Sequence, residues 1–492
     1  MLRCIRLRLL LRLQQQLNKS CICVGNDEQI RLAGTDAFFI IMMEQNSFNT
    51  NNIYAISVGR YFDVEDSKCL LVYAPLANLF FLSTPNEVER LETLIKKGDK
   101  DDATLQKLIN QSVLSDITPE VSEDTFCTLH LLLNEKCNFK CRYCYSASGR
   151  STAELDMAHI GPMLDYFLSD KRKAVKDRTI MFMGGGEPAL SWKILREATL
   201  YAEKIATNND ITPHFAITTN GSILNDEMIV FFKEHNFTVQ LSFEVLPDVQ
   251  NEQRGSYDTV AANVVKLTEA GVGNYVRSTI TEKNVDRIPE MVRYCHEHFP
   301  LVKKLSCQQV VDPTYFTSTD IVRNFFDRYY NSFKEGESLA QELGITLRSS
   351  SSHLINYSKR ERFCYNLVCL TPYGTLTVCP DVSSPVEADY EDAVFGTVAT
   401  PDKVEIDTEK LRSITIGSIH TIEKCRNCYA RWNCGSGCPS SRRVYTPEIF
   451  DAICDHYRRM LVDSLINVLA TRHAETTGRN LFSDISQKLK TS

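Results

Sequence analysis

The stretch Cys137-Asn-Phe-Lys-Cys141-Arg-Tyr-Cys144 restricts this chain more than any other. Three thiols spaced C-x3-C-x2-C can hold three irons of a cubane iron–sulfur cluster and leave the fourth iron open. An open iron is a reaction site, not only an electron store. Such thiols could instead build a structural zinc knuckle, which needs a fourth local Cys or His. None sits in the loop: His130 precedes it within an expected strand, and Cys127 on that strand reads as core. Further on comes Gly184-Gly185-Gly186-Glu187-Pro188. A glycine run lets the backbone approach a ligand closely; its other use is a tight strand-to-helix turn.

The 18 cysteines are many for 492 residues. In a secreted chain they would suggest disulfides. Most fall into tight C-x2-C and C-x3-C groups, which cannot readily bridge locally without strain. That spacing suits metal thiolates in a reducing compartment, so the expected location is cytoplasmic. The net charge of −7 is spread along the chain and leaves no footprint for nucleic acid. No run of about 18 apolar residues is free of charge, so no membrane span is expected.

The length predicts about two or three domains. Residues 1–42 alternate Arg with Leu up to Leu13 and carry no acid before Asp27. They read as a poorly ordered tail. A transit peptide is also Arg-rich and acid-poor, whereas Arg8 and Arg12 interrupt any secretory apolar run. Residues 43–120 read as a small α+β module, with strand patterns at 53–62, 69–74 and 79–82. Thr84, Pro85 and Glu87 then supply a helix start, and a second helix is expected over 102–112. From Phe126 the texture changes. Strands are expected at 126–133, 179–183, 213–219, 238–244, 274–280 and 302–309, with helices between them and another over 319–343. This alternation predicts parallel βαβ units, here an α/β partial (β/α)6 TIM-like barrel over residues 121–347. In such barrels sites gather at the C-terminal ends of the strands. The cysteine loop follows the first strand and the glycine run the second, so both should share one rim. A composition break at Arg348–Ser352 reads as a linker into a cysteine-dense region, 348–460, which opens with a hairpin over 368–378. A C-terminal helix and tail occupy 461–492, the helix being expected from Asp455 to His473.

The cysteine triplet, with the aromatic Tyr143 before its third member, and the glycine run together resemble the radical S-adenosylmethionine (radical SAM) enzymes. The ordered string Cys364-x9-Gly374-x4-Cys379, Cys425-x2-Cys428-x5-Cys434-x3-Cys438 and Cys454 resembles the SPASM domain that carries auxiliary clusters in these enzymes. The resemblance covers residues 126 to about 460 and implies three [4Fe–4S] clusters. Cys137, Cys141 and Cys144 would hold the one that SAM chelates. Tyr143 would lie against the adenine. Gly185, Gly186 and Glu187 would bind the methionine end, Glu187 taking the α-ammonium. Ser242 would meet the ribose and Arg277 the carboxylate; either could equally be a satisfied structural polar group. Cys425, Cys428, Cys434 and Cys454 would hold one auxiliary cluster. Cys364, Cys379 and Cys438 would hold the other, with Cys369 as the natural fourth ligand. Without Cys369 that cluster would have an open iron. Zinc-ribbon scaffolding is the other use of these thiols.

The resemblance further implies reductive cleavage of SAM to a 5′-deoxyadenosyl radical, with electrons from a partner such as flavodoxin or ferredoxin. SPASM enzymes mostly modify peptides or proteins. One subgroup forms thioether or carbon–carbon crosslinks in ribosomally made peptides, often recognising a leader peptide through a small winged-helix module, for which residues 43–120 are a candidate. The other oxidises Cys or Ser of sulfatases to formylglycine. In sulfatase maturases an aspartate proposed as a base follows the cysteine matching Cys379; here Pro380 stands there and Asp381 comes next. Moving the carboxylate by one residue re-aims it, and small positioning errors cost rate. The sequence therefore favours the peptide maturase, with the sulfatase maturase as alternative. A non-catalytic iron–sulfur electron carrier is the alternative of another class, against which the intact triplet and Glu187 argue.

Overall fold

The structure, a computed structural model, describes residues 52–97, 121–172, 176–352, 354–356, 360–364, 366–399 and 403–490. The expected tail at 1–42 and the expected helix over 102–112 lie outside them. Strands β1 (Tyr54–Ser57), β2 (Leu70–Ala74) and β3 (Leu79–Ser83) form an antiparallel sheet in the order β1-β2-β3. The strand pattern expected to Phe62 stops at Ser57, because Gly59–Phe62 winds into a 3-10 turn. A Cβ on Gly59 would come within 2.4 Å of the Glu65 carbonyl, so the turn needs glycine there. Alternation along the strands covers both faces of this sheet. Tyr54, Ile56, Leu71, Tyr73, Phe80 and Leu82 pack against residues near the C-terminus, among them Leu461, Leu465 and Leu469. Val72, Ala74 and Leu79 pack on the opposite face with Val88 and Ile95 of helix α1 (Pro85–Lys97).

The alternating middle of the chain gives strands β4 (Thr128–Leu132), β5 (Asp177–Met183), β6 (Thr212–Thr219), β7 (Thr238–Ser242), β8 (Gly273–Ile280) and β9 (Lys304–Gln309). Between and after them run α2 (Met157–Phe167), α3 (Trp192–Asn208), α4 (Asp226–Glu234), α5 (Pro247–Gln253), α6 (Tyr257–Glu269), α7 (Ile288–His298) and α8 (Thr319–Glu342). Several starts are set by side chains: Asp156, Asn225 and Ser318 each accept a backbone N–H from the third residue on, which satisfies an otherwise orphaned donor. The strands lie side by side in sequence order and are all parallel. Right-handed crossovers in a sheet wound one way put every helix on one face. The other face is left as a lumen, and the strand ends form its rim. The α/β architecture with a central parallel sheet is the one the sequence predicts.

β10 (Thr346–Arg348) adds in parallel to β9, and β11 (Leu367–Leu370) adds in parallel to β4. β12 (Thr375–Thr377), β13 (Val394–Ala399) and β14 (Lys403–Ile406) then extend the sheet antiparallel. Among the described residues the sheet thus runs from β10 to β14 across eleven strands, with an edge at each of these two. The β11–β12 hairpin turns at Gly374, whose φ is +73°. The serine run is not a solvated linker. Ser349 and Ser351 are fully buried, and Ser351 Oγ bonds His456 Nε2 at 3.1 Å and Gln309 Nε2 at 3.0 Å. The C-terminal helix α9 (Pro447–Thr477) is longer than expected, capped by Thr446 and ended by Gly478 in the left-handed region. A last helix, α10 (Leu481–Lys490), packs on the N-terminal sheet with it. No helix among the described residues is long and apolar enough to cross a membrane.

Candidate active site

The cysteine loop leaves the end of β4 and is held to three neighbours. Arg142 N donates to Gln253 O at 3.1 Å. Asn138 Nδ2 donates to Ser222 Oγ at 2.8 Å, and Asn220 Nδ2 donates to Asn138 Oδ1 at 2.9 Å. The returning segment folds back over β4, with Glu135 N on Ala153 O at 3.0 Å and Leu155 N on Leu133 O at 2.9 Å. Cys137, Cys141 and Cys144 are partly buried. Burial pushes the Cys141 thiol up, the Arg254 guanidinium opposes this, and the Cys144 and Cys137 sulfurs add to it. Arg150 Nη2 donates to Cys144 Sγ at 3.0 Å and Phe139 N to Cys137 Sγ at 3.5 Å.

The glycine run continues the pairing of β5 with β4: Gly186 N donates to Asn134 O at 2.9 Å and Glu187 N to Lys136 O at 2.7 Å. The fit admits no side chain. A Cβ on Gly186 would lie 1.9 Å from Lys136 O, and one on Gly185 would lie 2.0 Å from Glu135 Oε2. Glu187 is buried and well supplied. Its Oε1 accepts from Ala189 N at 3.0 Å and Thr219 Oγ1 at 2.7 Å, and its Oε2 from Asn220 N at 2.7 Å. Burial raises its carboxyl, while these three donors lower it.

Ser242 ends β7 and stands beside Arg277 in the β7–β8 register. Arg277, Tyr145 and Asp381 come together: Asp381 feels Arg277 and Arg443 as well as Ser440 and Cys379, and Tyr145 feels Asp381, Cys144 and Arg277. Burial pushes the Asp381 carboxyl up and the two guanidinium groups pull it back. Tyr145 is half exposed. Tyr143 turns elsewhere. Its hydroxyl bonds Glu244 Oε1 and accepts from Arg254 Nη1 at 2.7 Å. Glu244 is fully buried; it also takes Ser278 Oγ and Thr279 N, the latter at 3.0 Å.

The C-terminal cysteines fall into two groups by mutual electrostatic contact. The Cys434 thiol is raised by burial and by Cys454, Cys428 and Cys425. The second group joins Cys364 to Cys438, Cys369 to Cys364, and Cys379 to Cys369 and Cys438. Burial pushes Cys364 and Cys454 up to about 12 and Cys425 to about 11. Cys369 on β11 is fully buried. Among the described residues no three His, Cys, Asp or Glu side chains close around a single metal ion; the thiols are grouped without being drawn to one point.

The donor set fits a cubane cluster with SAM: three thiols at a rim, a glycine cradle with no room for a Cβ, and buried polar groups between them. Arg254, Glu244, Glu135 and Arg150 lie against the predicted site residues, and sequence reasoning missed them. Arg254 and Glu244 owe their place to Tyr143, more than a hundred residues away in the chain, and no spacing marks them. The nearest signal is Glu135, a charge set between an apolar strand and the first cysteine.

Comparison with known proteins agrees with this geometry. Residues 131–295 match the Radical SAM superfamily. A cysteine-type anaerobic sulfatase-maturating enzyme of Clostridium novyi (strain NT) is 21% identical over 339 residues, 64% of this chain and 88% of that protein. The sporulation killing factor maturation protein SkfB of Bacillus subtilis (strain 168) is 26% identical over 173 residues, 34% of this chain and 39% of its own. The solved structure of native anSMEcpe with bound AdoMet shares the fold at a TM-score of 0.54 and 16% identity, covering 70% of this chain and 98% of that one. That family implies a [4Fe–4S] cluster and SAM as cofactors. Residues 131–295 of this chain are a radical SAM domain.

Proposed function

We propose that the chain is a radical SAM peptide maturase that oxidatively crosslinks a ribosomally made peptide, through a thioether or a carbon–carbon bond. The observation that carries this reading is the meeting of Tyr145, Arg277 and Asp381 between the cysteine loop and the C-terminal thiols. A peptide held there would face groups from both cysteine regions at once. With SAM bound at the open iron, the cluster supplies a 5′-deoxyadenosyl radical able to take hydrogen from an unactivated carbon. Cys137, Cys141 and Cys144 would hold that cluster; Gly185 and Gly186 would border the methionine end, and Ser242 and Arg277 would face SAM from β7 and β8. The two C-terminal thiol groups would hold two auxiliary clusters, with Cys369 completing the second. They would accept the substrate electron, and a flavodoxin- or ferredoxin-like protein would supply the electron that reduces the first cluster. Asp381, its carboxyl raised by burial and so suited to take up a proton, is the candidate to accept the substrate proton.

Residues 43–120 would bind the leader. Among the described residues β1 and β3 each have one edge without a strand neighbour, and an extended peptide adds to such an edge through main-chain hydrogen bonds. A leaderless core peptide should then be modified far more slowly than the full precursor, with uncoupled SAM cleavage unchanged.

The second reading is the sulfatase maturase. It is favoured by the long match to the Clostridium novyi enzyme and by Asp381 facing the same space. Mass spectrometry separates the two. The anaerobically reconstituted, reduced enzyme would receive SAM and either a peptide encoded beside its gene or a sulfatase-motif peptide. Loss of two hydrogens with no aldehyde supports the maturase. An aldehyde-reactive product from the sulfatase peptide replaces it with the second reading.

A further inference from the structure

Cys434 and Cys438 belong to different thiol groups, yet only Gly435-Ser436-Gly437 separates them. All three of these residues stand in the left-handed region, with φ of +65°, +70° and +74°. Glycine accepts that conformation readily, whereas serine is uncommon there. The run also lies hard against the segment that carries Cys364. A Cβ on Gly435 would come within 2.7 Å of the Arg362 carbonyl and 2.8 Å of Phe363 N. The two thiol groups therefore meet at one seam, with residues 362–364 on one side and 434–438 on the other.

Two guanidinium groups sit at this seam. Arg442 is half-buried, and its Nη1 donates to Ser436 O at 2.9 Å and to Ser436 Oγ at 3.0 Å. It stands within electrostatic reach of Cys425, Cys434 and Cys454 of one group and of Cys438 and Cys364 of the other. Arg360 Nη2 donates to Phe363 O at 2.6 Å, and Arg360 reaches both Cys364 and Cys434. Other cations of this region are answered by carboxylates: Lys424 by Asp451, Arg443 by Asp389 and Arg458 by Asp455. Among the described residues Arg442 pairs with no carboxylate; its side chain bonds Ser436 instead.

Taking a charge out of water costs free energy unless another charge answers it. Free thiols grouped on both sides of Arg442 supply that answer once they ligate iron. A cubane cluster on four thiolates is an anion, and the net charge and hydrogen bonds around it set its potential. Two such anions at one seam repel each other. A cation between them offsets the repulsion, and offsets more of it once either cluster has gained an electron.

We propose that Arg442, together with Arg360, forms a cationic seam that raises the reduction potentials of both C-terminal clusters and so fits them to accept the substrate electron. The proposal rests on the reading that the two thiol groups hold clusters, and deepens it. Neither arginine touches the reacting atoms; both act through the clusters.

The test is a redox titration followed by electron paramagnetic resonance, with iron content measured alongside. It uses the full-length chain carrying Cys137→Ala, Cys141→Ala and Cys144→Ala, reconstituted with iron and sulfide, so that only the C-terminal clusters titrate. Adding Arg442→Gln should lower both potentials, the more affected one by about 59 mV, which is a tenfold loss in the one-electron reduction equilibrium. Iron content should not change. Arg442→Lys keeps the charge and should stay close to the parent. Arg360→Gln should shift the potentials in the same direction, and it decides the matter if Arg442→Gln fails to hold iron. The proposal is overturned if the glutamine variants hold their iron at unchanged potentials, or if Arg442→Lys falls as far as Arg442→Gln. Loss of iron from both glutamine variants also overturns it, since the arginines are then scaffolding. A parent that binds no iron would remove the C-terminal clusters themselves, and this proposal with them.

Discussion

The two cysteine regions solve different problems. Cys137, Cys141 and Cys144 come from one short loop, and the groups around them are polar: Arg254, Arg150 and Glu244. The C-terminal thiols come from separate segments between Cys364 and Cys454, and each influences others of its own group, Cys434 with Cys454, Cys428 and Cys425, and Cys379 with Cys369 and Cys438. Three thiols from one loop leave a cluster with an open iron; four thiols close it. A loop can be opened to a ligand at little cost to the core, whereas a centre stitched from distant segments also holds its domain together. The proposed function puts chemistry at the first, and electron transfer and scaffolding at the second.

The largest effect should come from the second region. Cys434→Ala or Cys438→Ala should remove one auxiliary cluster and abolish peptide product while leaving 5′-deoxyadenosine formation intact, as liquid chromatography would read. Loss of both activities would break the contrast. Asp381→Asn should come next, slowing peptide product about a hundredfold with SAM binding unchanged. Equal product from this variant would remove Asp381 as the base. Glu187→Ala leaves Thr219 Oγ1, Asn220 N and Ala189 N without their acceptor and should cost about 3 kcal/mol of unfolding free energy by denaturant titration. The smallest effect is at the N-terminal sheet. Tyr73 Oη donates to Asn433 Oδ1 at 2.8 Å, next in the chain to Cys434, and Tyr73→Phe should cost about 1 kcal/mol without changing iron content. A larger loss of iron would tie the first module to the second cysteine region more closely than this contrast allows.

The parallel sheet was legible because strands β4–β9 and their helices carry strong periodicity and side-chain caps such as Asp156 and Asn225. The cysteines were legible because thiols at fixed spacing have few other uses. Arg348–Ser352 was misread: polar composition suggests a linker, but those serines find buried partners on β9 and α9. The long C-terminal helix did carry its signals, with Thr446 before Pro447 at one end and Gly478 at the other; the expectation began at Asp455 because the cysteine spacing drew the boundary. Glu135 and Glu187 show the limit of motif reading. The motif names Glu187, but only the contacts with Thr219, Asn220 and Ala189 reveal that it is occupied. Glu135 looks like a surface charge until the segment around Ala153 folds over it.

The central claim is that the three-thiol loop, and not the four-thiol groups, is where SAM reacts. The most direct measurement compares wild type with the Cys137→Ala, Cys141→Ala, Cys144→Ala triple variant, both reconstituted and reduced, for iron content and 5′-deoxyadenosine. The account predicts that the variant keeps about eight of about twelve irons and forms no 5′-deoxyadenosine. A variant that still cleaves SAM, or one that loses all its iron, would contradict it.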